Sequence, residues 1–413
     1  MNRAKIGDLC NLYSGGTPST KCSEYWGGNF PWLSSAVSNQ DFIYSSEITI
    51  TQEGIDNSAT RLAKKNSVLI ATAGEGKTRG QVSYLEIDAY INQSLISIVP
   101  KKDITALYLY YYLKNSYGRI RKLSDITGIR GSLSGDLLKS FIIEYPDLDT
   151  QKKITTTLRT IDRKIENNKK IINELESMSK TLYDYWFLQF EFPNKEGKLY
   201  RTSGGKMVWN EELKREIPEG WKVDNLMESS LCGDIKAGVD YFETKKYLPT
   251  ANINGEEITD GEYISFDNRE SRANMQPVKN SVWFAKMKNS IKHLTIPENS
   301  DWFINKYILS TGFQGLKCSE DSLAYIHCII NSNWFEVFKD MLSHGATQES
   351  VNNEDLKNIK FAVPSVDVLK RFSAIVFPIL EKKFSIIKEN QELTALRDFL
   401  LPLLMNGQVS FNK

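Results

Sequence analysis

Residues 154–186 read ITTTLRTIDRKIENNKKIINELESMSKTLYDYW. Stepped alternately by four and three, the stretch passes through Ile154, Leu158, Ile161, Ile165, Asn168, Ile172, Leu175, Ser179, Leu182 and Trp186, eight of them apolar. The same walk from Phe372 meets Val376, Ile379, Lys383, Ile386, Asn390, Leu393, Arg397, Leu400 and Leu404, seven of the ten apolar. An apolar repeat of 3.5 residues kept up for more than four heptads is a coiled-coil pattern. At about 1.5 Å per residue such a helix runs roughly 50 Å, farther than a small domain is wide. Asn168 and Asn390 are polar seam residues of the kind that fix register.

The two seams belong to a longer repeat. Leu138–Trp186 lies over Leu356–Leu404 at a constant offset of 218, placing Pro364 under Pro146, Ile379 under Ile161 and Leu400 under Leu182. Upstream, Asn66-Ser67-Val68 answers Asn280-Ser281-Val282, Ile91-Asn92 answers Ile304-Asn305, and Gly128 answers Gly345. Before each helix stand β-rich runs, SVLIAT, QVSYLEI and SLISIVP in the first half, SVWFAK and WFINKYILS in the second. Each half then carries one Tyr- and Leu-rich helical patch, ALYLYYYLKN or SLAYIHCIINSNWFEVFKDML. The expected fold is α+β: two similar α+β domains separated by an antiparallel two-helix coiled coil, with pseudo-twofold internal symmetry. The boundaries are 1–145 for the first domain, 146–192 for the central helix, 193–220 for a polar connector, 221–363 for the second domain and 364–413 for the C-terminal helix. Two similar domains at fixed separation suit a repeating polymer such as duplex DNA, whose turn repeats every 34–36 Å.

Composition sets outer bounds. The 413 residues carry 52 Lys+Arg against 51 Asp+Glu, a net charge of +1, which excludes coating nucleic acid by bulk charge but permits a local basic groove. Five scattered cysteines without a CxxC pair argue against a disulfide framework or zinc ribbon. No signal peptide or 18-residue apolar run is evident, so a cytoplasmic location is expected.

Several phrases resemble the specificity subunits of type I restriction-modification systems. The first half opens Lys5-Ile6-Gly7-Asp8-Leu9, then Ser14-Gly15-Gly16-Thr17-Pro18-Ser19, Tyr25-Trp26-Gly27-Gly28 and Pro31-Trp32-Leu33, similar to the start of a target recognition domain in that family. Gly128–Leu138, Tyr145-Pro146-Asp147-Leu148 and Gln151-Lys152-Lys153-Ile154 resemble its domain-to-helix junction, and Ile217-Pro218-Glu219-Gly220-Trp221 the opening of a second recognition domain. The second half departs from the pattern: its junction lacks a counterpart of Gln151, and Cys232–Gly238 replaces the GGTP phrase. The resemblance implies a non-catalytic DNA-specificity subunit, each recognition domain reading one half of a bipartite double-stranded DNA site. It implies that the helices dock two modification (methyltransferase) subunits, joined by ATP-dependent translocase and nuclease restriction subunits. S-adenosylmethionine, ATP and Mg then belong to those partners, and none to this chain.

Base readout needs Arg or Lys for guanine, Asn or Gln for adenine, and short hydroxyls on an exposed edge. Candidates in the first half are Trp32, Ser34, Ser35, Asn39 and Gln40, followed by Lys77, Thr78, Arg79 and Gln81 in a glycine-rich loop after SVLIATA. Glycines let backbone approach a phosphate while the cations supply charge. Arg119, Arg121, Lys122 and Arg130 form a further basic cluster. The second half offers Thr250, Asn252 and Asn254, the basic loop Lys286, Lys288, Asn289 and Lys292, and the cations Lys245, Lys246, Arg269 and Arg272.

Two other chemistries are weighed against this. Gly76-Lys77-Thr78 is no P-loop, because Ala71 holds the first glycine position and a strand pattern follows where a helix must begin. Pro146-Asp147 with Asp162 and Lys164 mimics a metal-dependent nuclease, but Asp162 and Lys164 are expected to point into solvent from a long helix. His293, His327 and His344 are too dispersed for a metal site or triad, and His327 reads as a core residue. The alternatives to a recognition subunit are a self-sufficient metal-dependent nuclease and a coiled-coil scaffold with no DNA role.

Overall fold

A computed structural model describes residues 1–413 except residues 75, 126–131, 255–256, 260, 347 and 410–413. The chain forms two compact units, Met1–Lys164 with Leu393–Lys413, and Ile165–Glu392.

In the first unit Val68–Ala71 is buried at every position. Successive strand side chains point to opposite faces. Val68 and Ile70 therefore pack with Ile96, Ile98 and the helix Ala106–Asn115 on one side, and Leu69 and Ala71 with Leu33, Ile43 and Ile91 on the other. The strand lies in a sheet ordered Cys10–Ser14, Leu95–Pro100, Val68–Ala71, Val82–Leu85, Phe42–Ile43. The second sheet runs Thr49–Ile50, Trp26–Leu33, Ala89–Ile91, Arg61–Ala63, with Leu33 parallel to Ile91 in register. Asn2–Lys5 pairs with Ile142–Tyr145, the strand that leads into the long helix.

The second unit repeats this plan. Ser281–Ala285 is buried throughout, Val282 and Phe284 facing one core, Trp283 and Ala285 another. Its sheets run Cys232–Ile235, Phe313–Cys318, Ser281–Ala285, His293–Ile296, and Glu262–Ile264, Lys245–Leu248, Tyr307–Ser310, Ala273–Met275. Leu248 is parallel to Leu309, and Lys222–Asn225 pairs with Lys360–Val363. Asn66 and Asn280, aligned by sequence, both take a left-handed backbone (φ 63° and 50°) just before the central strand. The internal repeat is thus a repeat of topology. One alignment changes: strand register sets Ile91 against Leu309, whereas Ile304 and Asn305 lie in the helix Asp301–Lys306. WFINKYILS is accordingly a short helix followed by the strand Tyr307–Ser310. The long helical patch is two helices, Glu320–Ile330 and Asn333–Leu342, because the Ser332 hydroxyl caps Phe335 N and starts a new one.

The long helices are Leu148–Tyr183 and Val366–Met405. In the second unit Asn168 Nδ2 donates to Asn390 Oδ1 at 2.8 Å, Lys383 Nζ reaches Glu176 Oε2 at 2.5 Å, and the Trp186 and Phe372 rings lie 5.5 Å apart. In the first, Arg397 Nη1 donates to Asp162 Oδ1 at 3.0 Å, and Ile154 and Leu158 share a core with Leu401, Leu404 and Met405. Partner numbers fall as mid-chain numbers rise, so the pairing in each unit is antiparallel. The seam is wider than two stripes facing each other. Phe372, Val376 and Leu380 enter one domain core and Phe384 another, because a helix in a domain buries a broader face than a strict coiled coil.

The stretch 193–216, expected to be an exposed connector, is more structured than its polarity suggests. Met207–Asn210 pairs with Arg215–Pro218, Ile217 is buried, and Phe192 stacks on Tyr200 and Trp221 at 4.6 and 5.4 Å. Alternate aromatic and apolar positions pin the polar ones to the surface.

Candidate nucleic-acid interface

Three loops converge at one end of the sheets in each unit. In the first, the turn Ser35–Asn39 follows the strand Trp26–Leu33 and packs on the hairpin Val68–Ala71/Val82–Leu85. The hairpin's own loop holds Lys77, Thr78, Arg79 and Gln81, and the third loop follows Ile91: Asn92 N donates to Leu33 O, and Thr72 N to Ser94 O. In the second unit the turn Thr250–Asn252 follows Lys245–Leu248, and the loop 286–292 joins Ser281–Ala285 to His293–Ile296. Lys286 N donates to Gly312 O, the counterpart of the Thr72–Ser94 bond, and Lys292 Nζ donates to Ile253 O at 2.5 Å. The candidate segments found along the sequence are therefore gathered by the fold, two per unit.

Within the first unit, Asn39, Gln40 and Lys77 are exposed, while Ser34, Ser35, Thr78 and Gln81 are half-buried. Ser34 Oγ accepts from Ala36 N at 3.3 Å and so caps its own turn. The glycine loop requires left-handed backbone at Gly76 and Gly80 (φ 67° and 87°), and a Cβ on Gly80 would press to 3.2 Å on Ile120. Two candidates are not on the exposed edge. Trp32 is buried edge-on against Trp26, 5.1 Å between rings, since a large ring next to Leu33 completes the wall of the sheet. Arg79 is buried and ion-paired with Asp125, and its carbonyl accepts from Arg121 Nη1 at 3.4 Å. It ties the loop to the helix Tyr117–Asp125, as does Tyr117 OH, which donates to Lys77 O at 2.9 Å. Arg119 and Lys122 are exposed on that helix, Arg119 lying 4.9 Å over the Phe141 ring. Arg130 falls outside the described residues.

In the second unit Asn254, Arg272 and Asn289 are exposed, and Thr250 and Asn252 half-buried. Lys246 is buried with its Nζ 4.6 Å over the Tyr263 ring. Lys245 Nζ donates to Ile304 O at 2.8 Å, and burial lowers its pKa. Burial likewise lowers that of Lys286. Lys288 pairs with Glu349 at 2.8 Å, and Arg269 lies 4.0 Å over Phe266. Much of the second unit's basic charge is thus partnered within the fold.

Composition passed over two aromatics. Tyr241 and Tyr263 are 73% and 71% exposed beside this cation cluster, Tyr241 5.5 Å from Phe266. An exposed ring face attracts cations and planar groups, as the Lys246 ammonium over Tyr263 illustrates. The available signal was a tyrosine directly after an acidic residue in each of two segments, Asp240-Tyr241 and Glu262-Tyr263.

The nuclease pattern does not assemble. Asp147 caps the long helix, accepting from Thr150 N at 2.9 Å and Thr150 Oγ1 at 2.8 Å, and its pKa is lowered by those bonds. Asp162, expected in solvent, is buried and accepts from Tyr111 OH at 2.5 Å and from Arg397. The helix face on which it sits is covered by its own domain. Among the described residues no group of three His, Cys, Asp or Glu side chains is placed to hold a metal ion. Nor is any described helix long and apolar enough to cross a membrane.

Paired α+β domains joined to long helices, each presenting a three-loop edge, define a class of recognition protein. A family model described as the type I restriction modification DNA specificity domain matches residues 1–177. The chain is 29% identical to the type I restriction enzyme MjaIX specificity subunit of Methanocaldococcus jannaschii over 98% of its own length and 92% of that protein's. It is 29% identical to the EcoR124I/EcoR124II specificity subunit of Escherichia coli over 46% of its length and 48% of that subunit's. A crystal structure of a type I restriction-modification S subunit from M. genitalium has the same fold, with a TM-score of 0.59, 17% identity, and coverage of 98% of this chain and 95% of that one. The chain is thus similar to type I restriction enzyme specificity subunits over nearly its whole length, and its first 177 residues match the specificity-domain model.

Proposed function

We propose that this chain is a specificity subunit that reads a bipartite double-stranded DNA site, one half with each three-loop edge, and supplies address but no chemistry. The helix pair docks two modification subunits, which carry S-adenosylmethionine. Restriction subunits joining that assembly use ATP and Mg, and the complex works in the cytoplasm. The observation that carries this reading is the convergence of the same three loops, with polar and cationic side chains, in two domains of one topology. In this reading Asn39, Gln40, Asn254 and Asn289 supply base-edge chemistry, Lys77, Lys122 and Arg272 meet phosphates, and Trp32, Arg79 and Lys246 hold the loops in place.

The test is to replace residues 1–145 with the first domain of another family member and map methylated bases genome-wide. The expected result is a change in one half of the methylated site, the other half and the spacing staying as they were. A change in both halves, or in neither, would contradict it.

A further inference from the structure

Among the described residues two ion pairs cross the seam between the long helices with their charges sorted by helix, beside a bond from Asn168 Nδ2 to Glu389 Oε2 at 2.8 Å. Asp162 and Glu176 stand two heptads apart on the mid-chain helix, and Lys383 and Arg397 two heptads apart on the C-terminal one. Arg397 meets Asp162 at 3.0 Å, and Lys383 meets Glu176 at 2.5 Å. Asp162 and Lys383 are each only 4% exposed. Further groups tie each pair to its own domain. Tyr111 OH donates to Asp162, and Arg397 lies 3.7 Å from Asp41, which also pairs with Lys114. His327 lies 3.4 Å from Glu176.

The repeat makes this sorting informative. At the offset of 218, Asp162 corresponds to Leu380, Glu176 to Thr394, Lys383 to Ile165 and Arg397 to Ser179. No charge is matched by a charge in the sister helix. Both helices keep the apolar heptads, so a duplicated chain has two competing ways to cover a seam: with its other helix, or with the same helix of a second copy. In the like-with-like arrangement at this register, Asp162 would face Ser179 and Glu176 would face Ile165. Lys383 would face Thr394, and Arg397 would face Leu380. Each charge would then lie in the seam without its opposite, which is strongly disfavoured, whereas the unlike pairing neutralises all four.

We infer that Asp162, Glu176, Lys383 and Arg397 are a heterotypic lock that selects the C-terminal helix as partner of the mid-chain helix and rejects a like helix of a second copy. The lock also names the partner a freed seam would take: the opposite helix of another copy.

Two full-length variants test it. Lys383→Glu with Arg397→Glu makes both helices acidic at the seam, and Asp162→Lys with Glu176→Lys makes both basic. Co-refolding the two from denaturant makes the outcome independent of whether either folds alone. The expected result is a 1:1 complex of twice the chain mass by analytical ultracentrifugation, at least about tenfold enriched over either variant refolded singly. A second pair, Lys382→Glu with Lys388→Glu, changes exposed positions on the same helix and is expected to refold like the parent, alone or with the basic variant. Absence of the mixed complex overturns the lock. So does an equal yield of complex from the exposed-site pair, which would reduce the effect to net charge.

Discussion

The helix Tyr117–Asp125 of the first unit and Asn333–Leu342 of the second occupy one place in the repeat, and their outward faces differ in kind. The first exposes Arg119 and Lys122, with Arg121 half-buried. The second exposes Trp334, Val337, Phe338 and Met341, an apolar stripe at helical spacing. Their inward roles are alike. Ile120 and Phe335 are buried, and each helix grips the glycine or basic loop beside it, through Tyr117 and Arg121 in one, and in the other through Lys339 Nζ donating to Ser290 O and Asp340 Oδ1 accepting from Asn289 N. Packing has held the scaffold while the surface chemistry diverged. The two faces therefore offer different chemistry to whatever meets them, charge on one and an apolar surface on the other.

The largest test of that contrast separates the two faces of one helix. Phe335→Ala removes a fully buried ring that meets Phe284 at 4.9 Å, and is expected to cost about 3–5 kcal/mol in denaturant titration. Arg79→Ala in the first unit is expected to cost about 1–3 kcal/mol, because it strips the tie between loop and helix, whereas Lys77→Ala leaves stability unchanged.

Acid resolves the second unit's end of the helix pair. Burial pushes the Glu176 carboxyl up, but the neighbouring His327 and Lys383 outweigh it and hold it well below the usual carboxylate range. A depressed pKa contributes stability that is complete above the unfolded value near 4.5 and is lost as pH falls toward the folded one. Stability measured from neutral pH downward should therefore drop more steeply below that value in the parent than in Glu176→Gln.

Charge on the first unit is probed by salt. Lys77→Ala with Lys122→Ala should lower the slope of log affinity against log salt by about 2 in the assembled complex, with half-site preference retained. Smallest of all, Trp334→Ala should shift stability by no more than about 0.5 kcal/mol, since its ring stands at the surface against Phe338. A loss as large as that of Phe335→Ala would erase the distinction between the faces.

Much of the fold could be read along the chain because it rests on periodicity. Heptads marked both helices, and the two seam asparagines do meet. The duplication carried the sheet order from one half to the other. Periodicity failed where a short element is decided by neighbours. Asp301–Lys306 is too short for its period to speak, and its turn is set by Phe303 seated in the core. The candidate edge was legible as loops, but the role of each residue was not. Arg79 and Lys77 are two apart in one basic phrase, yet one is a buried strut and the other is solvated. Tyr241 and Tyr263 were passed over because an aromatic in a strand-rich half is expected inside.

By itself the sequence determined that there are two copies of one α+β plan and two long amphipathic helices, because spacing of apolar residues is a local property that survives without coordinates. Only the tertiary structure decided which charges are spent on internal partners and which face outward. That depends on contacts between residues as distant as Asp162 and Arg397, where desolvation makes an ion pair obligatory and chain position carries no record of it.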